Sequence, residues 1–401
     1  MYILDHTETI YMKAKNTTTI DNFFDKKELK GKTLAYNTKK QYNSILHNYS
    51  EQQGTPLKDL LKEAKEEQTP YLNSRNQIIM PDIEDSMLSA RITSYIKSQK
   101  EAKLQPQSIN DKITKIKSFY TFHNIDFPKF KLQTEKNKVQ IMEKKELENI
   151  LKNMSLKKRA IYTFLLSTGI RISDVAKFTV EDFMESLGME TLDELINTKE
   201  INTVGYWEFV PQKTKNSSGV TCMTCSTPEA NNNILMLLKR RKMEWKLTLD
   251  QPLFMTNRLK PYTANILSVM SRREANKIQK LREEEYRKQY RGKEISEKKY
   301  HDLMENTPKF HAHGLRKYFI SVLANHSVPS RISAVMEGHV PPIATDDHYV
   351  KISKEAVIDE YLKIVPYLSF ERVEVRMVDN KKYNEMEDRL NHLEMLLSQR
   401  S

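Results

Sequence analysis

The sequence predicts an α+β protein that is mainly α-helical and carries one small antiparallel β-sheet. Apolar residues recur at helical spacing over most of the chain, and only residues 206–226 change to two short alternating runs, separated by a turn at 216–219. A polar stretch at 132–140 has the composition of a linker. We therefore expect a helical N-terminal domain over 1–131 and a second domain over 141–372, which agrees with a length of 401 residues.

The clearest helix of the N-terminal domain is predicted to start at Ser108. This serine is the candidate N-cap, with Pro106 before it and Asp111 in the first turn. The apolar stripe of this helix, which predicts its buried face, consists of Ile109, Ile113, Ile116, Phe119 and Tyr120.

The charge balance favours an anionic partner. The chain has 65 Lys and Arg against 53 Asp and Glu, a net charge of +12 and a pI near 9.2, which suggests nucleic acid or an anionic membrane surface. Three lysines, Lys112, Lys115 and Lys117, are predicted to lie exposed beside the apolar stripe. They form either a solvated face or a face that follows DNA phosphates.

Membrane insertion and secretion are not expected. The chain has no apolar run near the roughly 18 residues needed to span a bilayer, its mean hydropathy is -0.66, and its first residues include acids and no cleavable apolar stretch. Its two cysteines indicate a reducing, cytoplasmic setting. Cys222 and Cys225 form a C-x-x-C, typical of a zinc or redox site, but no second pair exists. A strand would point them to opposite faces, so we interpret them as ordinary strand residues.

Two further segments have distinct compositions. Residues 271–300 are very polar with mixed charges and predict an exposed helical insertion in the second domain. Residues 373–401 predict a C-terminal helical tail, which either docks on a neighbouring protomer or folds back on its own domain. The apolar positions of this tail have heptad spacing: Tyr383, Met386, Leu390, Leu393 and Leu397.

Candidate functional residues occur in short motifs spread over the second domain. In HGLRKYF, His313 and Arg316 are three residues apart, so on a helix they share one face and can contact one anion. Each motif is weak alone, because such residues are common on solvated surfaces. The other motifs are TGIRISD with Arg171, QKTK with Lys213 and Lys215, EGHV with His339, and DDHYV with Tyr349.

Together and in this order, these motifs resemble the tyrosine recombinases, the phage integrase family. That family has T-G-x-R-x-S-[DE], a hairpin lysine, H-x-L-R, G-H, and a tyrosine nine or ten residues later. The resemblance spans roughly residues 20 to 370, because TKKQYNSILHNY and INDKITKIKSFYTFHNIDFP resemble the family's helical core-binding domain. The ending YLKIVPYLSF is similar to that of archaeal integrases.

The resemblance implies a site-specific recombinase, an integrase of a mobile element, that acts on double-stranded DNA. It implies two domains that clamp the DNA, a homotetramer on paired sites, a 3′-phosphotyrosyl intermediate, and no cofactor or metal. No Walker-type motif is present, and exchanging one phosphate ester for another needs no ATP.

The resemblance also implies a role for each motif residue. Arg171 and Arg316 would clamp the phosphate, which suits them because guanidinium groups bind phosphate oxygens bidentately. Asp174 would orient Arg171. His313 and His339 would donate hydrogen bonds to the phosphate, and His313 would assist proton transfer. Tyr349 would be the nucleophile, and Lys213 would protonate the leaving 5′ oxygen. Lys215 is the alternative general acid, since both lysines share one face of an unbroken strand.

The sequence also departs from the family pattern. Pro341-Pro342 follow the G-H where the family often has small polar residues, and His348 precedes Tyr349. The rival interpretations are a type IB topoisomerase and a DNA-binding relative without catalysis. The helical N-terminal domain argues against a topoisomerase. The intact set of motif residues argues against a relative without catalysis. A metallohydrolase would use His311, His313, His339 and His348, but that leaves the two arginines unexplained.

Overall fold

The computed structural model describes residues 6–31, 33–134, 140–214, 219–256, 258–339 and 352–370. The chain divides into two compact units, Met1–Lys138 and Val139–Ser401. It is mostly helical with two small antiparallel sheets, which confirms the predicted α+β class. Within the described ranges, no helix is both long and apolar enough to cross a bilayer.

The first unit is a helical bundle with one short hairpin. Its elements are α1 (His6–Leu29), α2 (Tyr36–Gln53), α3 (Leu57–Glu67), β1 (Tyr71–Leu72), β2 (Ile78–Ile79), α4 (Met87–Glu101) and α5 (Pro106–Phe122). The predicted apolar stripe of α5 is buried in the core of this unit. The β1–β2 hairpin was not predicted from the sequence, because each of its strands has only two residues.

Two predictions about α5 were wrong. The helix begins at Pro106, with Gln105 as N-cap, so Ser108 lies inside the first turn. Proline fits this first position because its missing N–H has no intrahelical partner there. Lys112 is half-buried, donates to Gln99 Oε1 at 2.5 Å, and has its pKa lowered by burial.

The other two lysines of this face differ from each other. Lys115 is half-buried, whereas Lys117 is exposed. All three lysines were predicted to be exposed, and of the three only Lys117 is.

The second unit contains the motif residues. Its elements are α6 (Lys144–Lys152), α7 (Leu156–Thr168), α8 (Ile172–Val175), α9 (Val180–Ser186), α10 (Leu192–Asn197), β3 (Gly205–Phe209), β4 (Cys222–Ser226), α11 (Pro228–Glu244), α12 (Ala264–Arg291), α13 (Glu297–Asn306), α14 (Ala312–Asn325), α15 (Ser330–Glu337) and α16 (Lys354–Leu368). Strands β3 and β4 form the predicted hairpin, with Gly205 opposite Ser226 and Phe209 opposite Cys222.

Helix α7 is the centre of this unit. Every residue from 160 to 168 is buried, because α11, α14 and β4 surround the helix. An apolar character all round a helix is typical of such a central position. Phe164 packs edge-on against Trp207 of β3, with ring centroids 4.8 Å apart. The end of α7, which leads into the TGIRISD motif, is therefore fixed within the core.

A second core cluster joins the hairpin to helices α14, α15 and α16. It contains Cys225 of β4, Phe319 of α14, Met336 of α15 and Tyr361 of α16. Cys222 and Cys225 are both buried and free, on opposite faces of β4. Burial raises the pKa of the Cys222 thiol to about 12, which disfavours the reactive thiolate form.

The charged residues 271–300 form most of α12, the loop after it and the start of α13, and most of their side chains are exposed. Several side-chain contacts anchor α12 to the unit. Arg282 donates to Pro308 O at 2.7 Å and pairs with Glu146, and Lys158 pairs with Glu274. The predicted C-terminal tail, 373–401, lies outside the described residues.

Gly169 generates a prediction about stability. It ends α7 with a φ of 63°, and a Cβ added there would lie 2.1 Å from Cδ1 of the buried Phe319. Gly169→Ala should lower the free energy of unfolding by about 3 kcal/mol, because the left-handed backbone and the overpacking each cost about 1–2 kcal/mol. Urea denaturation measures this loss.

Gly188→Ala is the matched control for this prediction. Gly188 has a φ of 69°, but nothing lies within 4 Å of an added Cβ, so only the backbone cost of about 1 kcal/mol applies. Equal losses in the two variants would contradict the packing of Phe319 against Gly169.

Candidate active site

Arg171 is placed by the turn that follows α7. After Gly169, the chain leaves the helix, and Arg171 is the N-cap residue of α8 with extended backbone angles of −77° and 143°. Its side chain is half-buried and makes no hydrogen bond or ion pair with the described part of the chain. Among the described residues, the donors of this guanidinium group are therefore not used in side-chain contacts.

Arg316 is held by two segments of the unit, the turn after α7 and the end of α15. It is 4% exposed. Its Nη1 donates to Gly169 O at 2.6 Å, and its Nη2 donates to Glu337 O at 2.5 Å and to His339 Nε2 at 3.1 Å. Burial lowers the pKa of Arg316, and the nearby charge of Arg171 lowers it further. A guanidinium group remains charged under such conditions, so Arg316 is a fixed, buried positive charge.

His339 is neutral and orients Arg316. It follows Gly338, which ends α15 with a φ of 59°. Its Nδ1 lies 2.9 Å from Glu337 Oε2. A carboxylate only accepts hydrogen bonds, so Nδ1 carries the proton and Nε2 accepts from Arg316. Burial and the charge of Arg316 lower the pKa of His339, which favours this neutral tautomer.

The β3–β4 hairpin is fixed against the end of α15, which leads to His339, and against α8, which follows Arg171. On one side, Cys222 Sγ donates to Met336 O at 3.3 Å. A Cβ on Gly338 would lie 2.9 Å from Pro211 Cγ, so only glycine allows this close approach. On the other side, Gln212 N donates to Asp174 Oδ1 at 2.8 Å. Lys213 is the next residue and is exposed, whereas Lys215 lies outside the described residues.

Asp174 has a different partner from the one that the sequence suggested. Its carboxylate is 1% exposed and binds Gln212 N and, at 3.6 Å, Lys177 Nζ. Among the described residues, no hydrogen bond or ion pair links this carboxylate to the Arg171 guanidinium group, and Oδ2 has no hydrogen-bond partner. Only the backbone N–H of Asp174 contacts Arg171, donating to its carbonyl oxygen at 2.9 Å. Asp174 thus joins the α8 segment to the hairpin that carries Lys213.

His313 lies at the start of α14 among positive charges. Its pKa is lowered first by partial burial and then by the charges of Lys317, Arg316, Arg171 and Lys213. These charges come from three separate motifs. Contacts hold the motifs side by side, because Arg316 donates to Gly169 O in the turn before Arg171, and Gln212 N, next to Lys213, donates to Asp174 Oδ1. A neutral His313 can accept a proton at neutral pH.

Sequence reasoning missed two residues of this site. Lys317 follows His313 by one helical turn, so i,i+4 spacing could have identified it. His311 is the N-cap of α14 and was considered only as a metal ligand. In the described part of the chain, no three His, Cys, Asp or Glu side chains form a group able to hold a metal ion.

Tyr349 lies outside the described residues. Two of the other tyrosines near the motifs have structural roles. Tyr361 is fully buried and donates to Ser167 O at 2.7 Å, and burial raises its pKa. Tyr318 donates to Tyr367 O at 3.1 Å. Neither hydroxyl is free to act as a nucleophile.

Comparison with known proteins gives structural likenesses only. No protein-family model and no curated protein matches the chain. The chain is similar to the Tn1549 transposon integrase in complex with transposon right end DNA, at 16% identity over 86% of this chain and 98% of that one, with a TM-score of 0.49. It is also similar to the lambda integrase (residues 75–356) bound to DNA, at 12% identity over 83% and 99%, with a TM-score of 0.42. It is similar to the XerA recombinase as well, at 14% identity over 86% of this chain and 98% of that one, with a TM-score of 0.33.

The two arginines should differ sharply in their contribution to stability. Arg316→Ala leaves the carbonyl groups of Gly169 and Glu337 without their donor, which should lower the free energy of unfolding by about 3 kcal/mol. Arg171→Ala breaks no such bond and should change it by less than about 0.5 kcal/mol. Urea denaturation compares the two variants, and similar losses would contradict the bonding described for Arg316.

Proposed function

We propose that this chain is a site-specific DNA recombinase that cleaves and rejoins DNA through a 3′-phosphotyrosyl intermediate. The observation that carries the proposal is that contacts bring the basic motifs together: Arg316 donates to Gly169 O, two residues before Arg171, and Gln212 N, next to Lys213, donates to Asp174 Oδ1. The nearby carboxylates of Asp174 and Glu337 are both bonded to other groups. The excess positive charge therefore fits an anion, and a phosphodiester is the anion that this set of groups can also cleave.

The arginines would stabilise the transition state. Charge builds on the non-bridging oxygens when a nucleophile attacks phosphorus, and preorganised donors stabilise that charge without reorganisation. Arg316 is preorganised by its bonds to Gly169 and Glu337. Arg171 has donors available from the opposite segment. This geometry replaces the metal ion that many other phosphoryl-transfer enzymes use.

The proposed reaction exchanges one phosphate ester for another. The hydroxyl oxygen of Tyr349 attacks phosphorus and loses its proton to a base, for which neutral His313 is suited. The bond from phosphorus to the 5′ oxygen breaks as the Tyr349 bond forms. Lys213 protonates that oxygen, with Lys215 as the alternative. Rejoining is the reverse reaction with a 5′ hydroxyl from another strand, so no ATP is consumed.

His339 would act mainly through Arg316. It accepts a hydrogen bond from Arg316 and donates one to Glu337, so its proton lies on the side away from the arginine. A direct hydrogen bond from His339 Nε2 to the phosphate would require a proton on Nε2, either in the other tautomer or in the protonated ring. Orientation of Arg316 is the role that its contacts favour.

DNA binding is the other part of the proposal. The net charge of +12 supports binding dominated by phosphate contacts. In the first unit, Lys117 and, to a lesser degree, Lys115 are free of the packing that holds Lys112. Exchange of strands between two duplexes requires a cut in each of four strands, so we propose that four copies assemble on paired sites. Integration or excision of a mobile element is the corresponding biological reaction.

The identity of the nucleophile provides the test. A nicked duplex, carrying a site selected from a random library by DNA binding, should trap a covalent 3′ complex without metal or ATP. Trapping occurs because a short fragment leaves after cleavage and cannot be rejoined. Tyr349→Phe should abolish the covalent species and retain DNA binding, since only the hydroxyl oxygen is removed. Denaturing gel electrophoresis measures the covalent species.

Tyr367→Phe is the matched control, because its ring is 43% exposed and stacks on His326. It should trap DNA like the unmodified chain. Trapping that persists in Tyr349→Phe would assign the nucleophile to another residue. DNA binding without any trapping would favour the non-catalytic relative, and trapping with relaxation but no strand exchange would favour a topoisomerase.

A further inference from the structure

Helix α14, which carries His313 and Arg316, begins with an imidazole as its cap. His311 has extended backbone angles. Its Nδ1 accepts a hydrogen bond from the backbone N–H of Gly314 at 2.8 Å. The same amide lies 2.8 Å from His311 O and is shared between the two acceptors. Serine, threonine, aspartate and asparagine are the usual caps, and each would accept from this amide with a smaller side chain. Capping alone therefore does not explain the imidazole.

The ring of His311 makes a second contact, with His313. The two imidazoles are stacked, with centroids 6.3 Å apart and planes 20° apart, within the range of offset stacking between aromatic rings. The ring also lies against the backbone of Gly314, where an added Cβ would make ordinary van der Waals contacts of 3.4–3.5 Å with three ring atoms of His311. The His311 ring is thus held between a glycine and the neighbouring histidine.

We propose that His311 is a positioning residue for His313: the cap fixes the His311 ring, and that ring holds the imidazole of His313 beside Arg316. Its importance for catalysis rests on the proposed function, whereas the restraint on His313 does not. His313 is otherwise exposed at the first turn of the helix, where a side chain samples several rotamers.

The electrostatic surroundings agree with a neutral pair of rings. The charged groups that act on His313 are Lys317, Arg316, Arg171 and Lys213. For His311, burial lowers the pKa first, followed by His313 and Lys317. A protonated His311 would have no lone pair on Nδ1 to accept from Gly314. Removal of the His311 ring would expose His313 to water and raise the pKa of His313, because burial is the largest cause of its lowering.

Three variants separate the cap from the ring. His311→Thr keeps a capping oxygen and loses the ring, His311→Phe keeps a ring and loses the cap, and His311→Ala loses both. The titration of His313 is measured by NMR in the full chain, with its signal assigned by its absence in His313→Gln. The rate of covalent trapping and the urea denaturation midpoint are measured on the same proteins.

The proposal predicts that His311→Thr unfolds at nearly the same urea concentration as the unmodified chain. Its His313 should nevertheless titrate at higher pH, and its rate should fall about threefold to tenfold, with the acid limb of the pH–rate profile moved to higher pH. His311→Ala should show the same shift together with a lower denaturation midpoint. His311→Phe should lose stability but keep the His313 titration closer to that of the unmodified chain.

A His313 titration and a rate that are unchanged in His311→Thr would overturn the proposal, because His311 would then be only a cap. The NMR measurement does not require activity. If the titration shifts in His311→Thr but the unmodified chain cleaves no selected DNA, the positioning of His313 is supported and the recombinase function is overturned.

Discussion

The hydrogen bonds of Arg316 are the interaction on which the candidate site depends. One buried guanidinium group donates to the carbonyl at the end of α7 and to the carbonyl at the end of α15. Each of these helices ends at a glycine in the left-handed conformation, Gly169 and Gly338. Arg316 therefore ties together the two turns from which Arg171 and His339 project. Without it, the ends of these helices would have unpaired carbonyl groups inside the unit.

The same arrangement explains how the protein holds several positive charges together. Burying a guanidinium group is costly unless its donors are satisfied, and three acceptors satisfy Arg316. Burial and the surrounding charges lower the pKa values of His339 and His313, which favours their neutral forms and limits the repulsion. Asp174 lies buried nearby but is bonded to the hairpin. The site combines fixed cations with neutral proton acceptors, which suits metal-free chemistry on a phosphodiester.

The parts of the fold that depend on local sequence pattern could be predicted from the sequence. The alternation around 206–226 identified the β3–β4 hairpin, and the stripe at Ile109, Ile113 and Ile116 identified the buried face of α5. The start of α5 could not be predicted as well, because proline and serine both favour the first turn. The partners of Lys112 and Asp174 depend on which elements meet in space. The imidazole cap at His311 replaces a residue type that the sequence rules expect, so composition gave no sign of it.

The central claim is that Arg171 and Arg316 act by neutralising charge on the phosphate that is cleaved. A selected DNA site in which that phosphate is replaced by a neutral methylphosphonate tests it directly. On the natural phosphodiester, Arg171→Ala should cleave about 10²–10³-fold more slowly than the unmodified chain, as expected for the loss of one charge-stabilising donor. On the methylphosphonate, the difference should fall to less than about tenfold, because the charge that Arg171 offsets is absent. An equal loss on both substrates would contradict the claim.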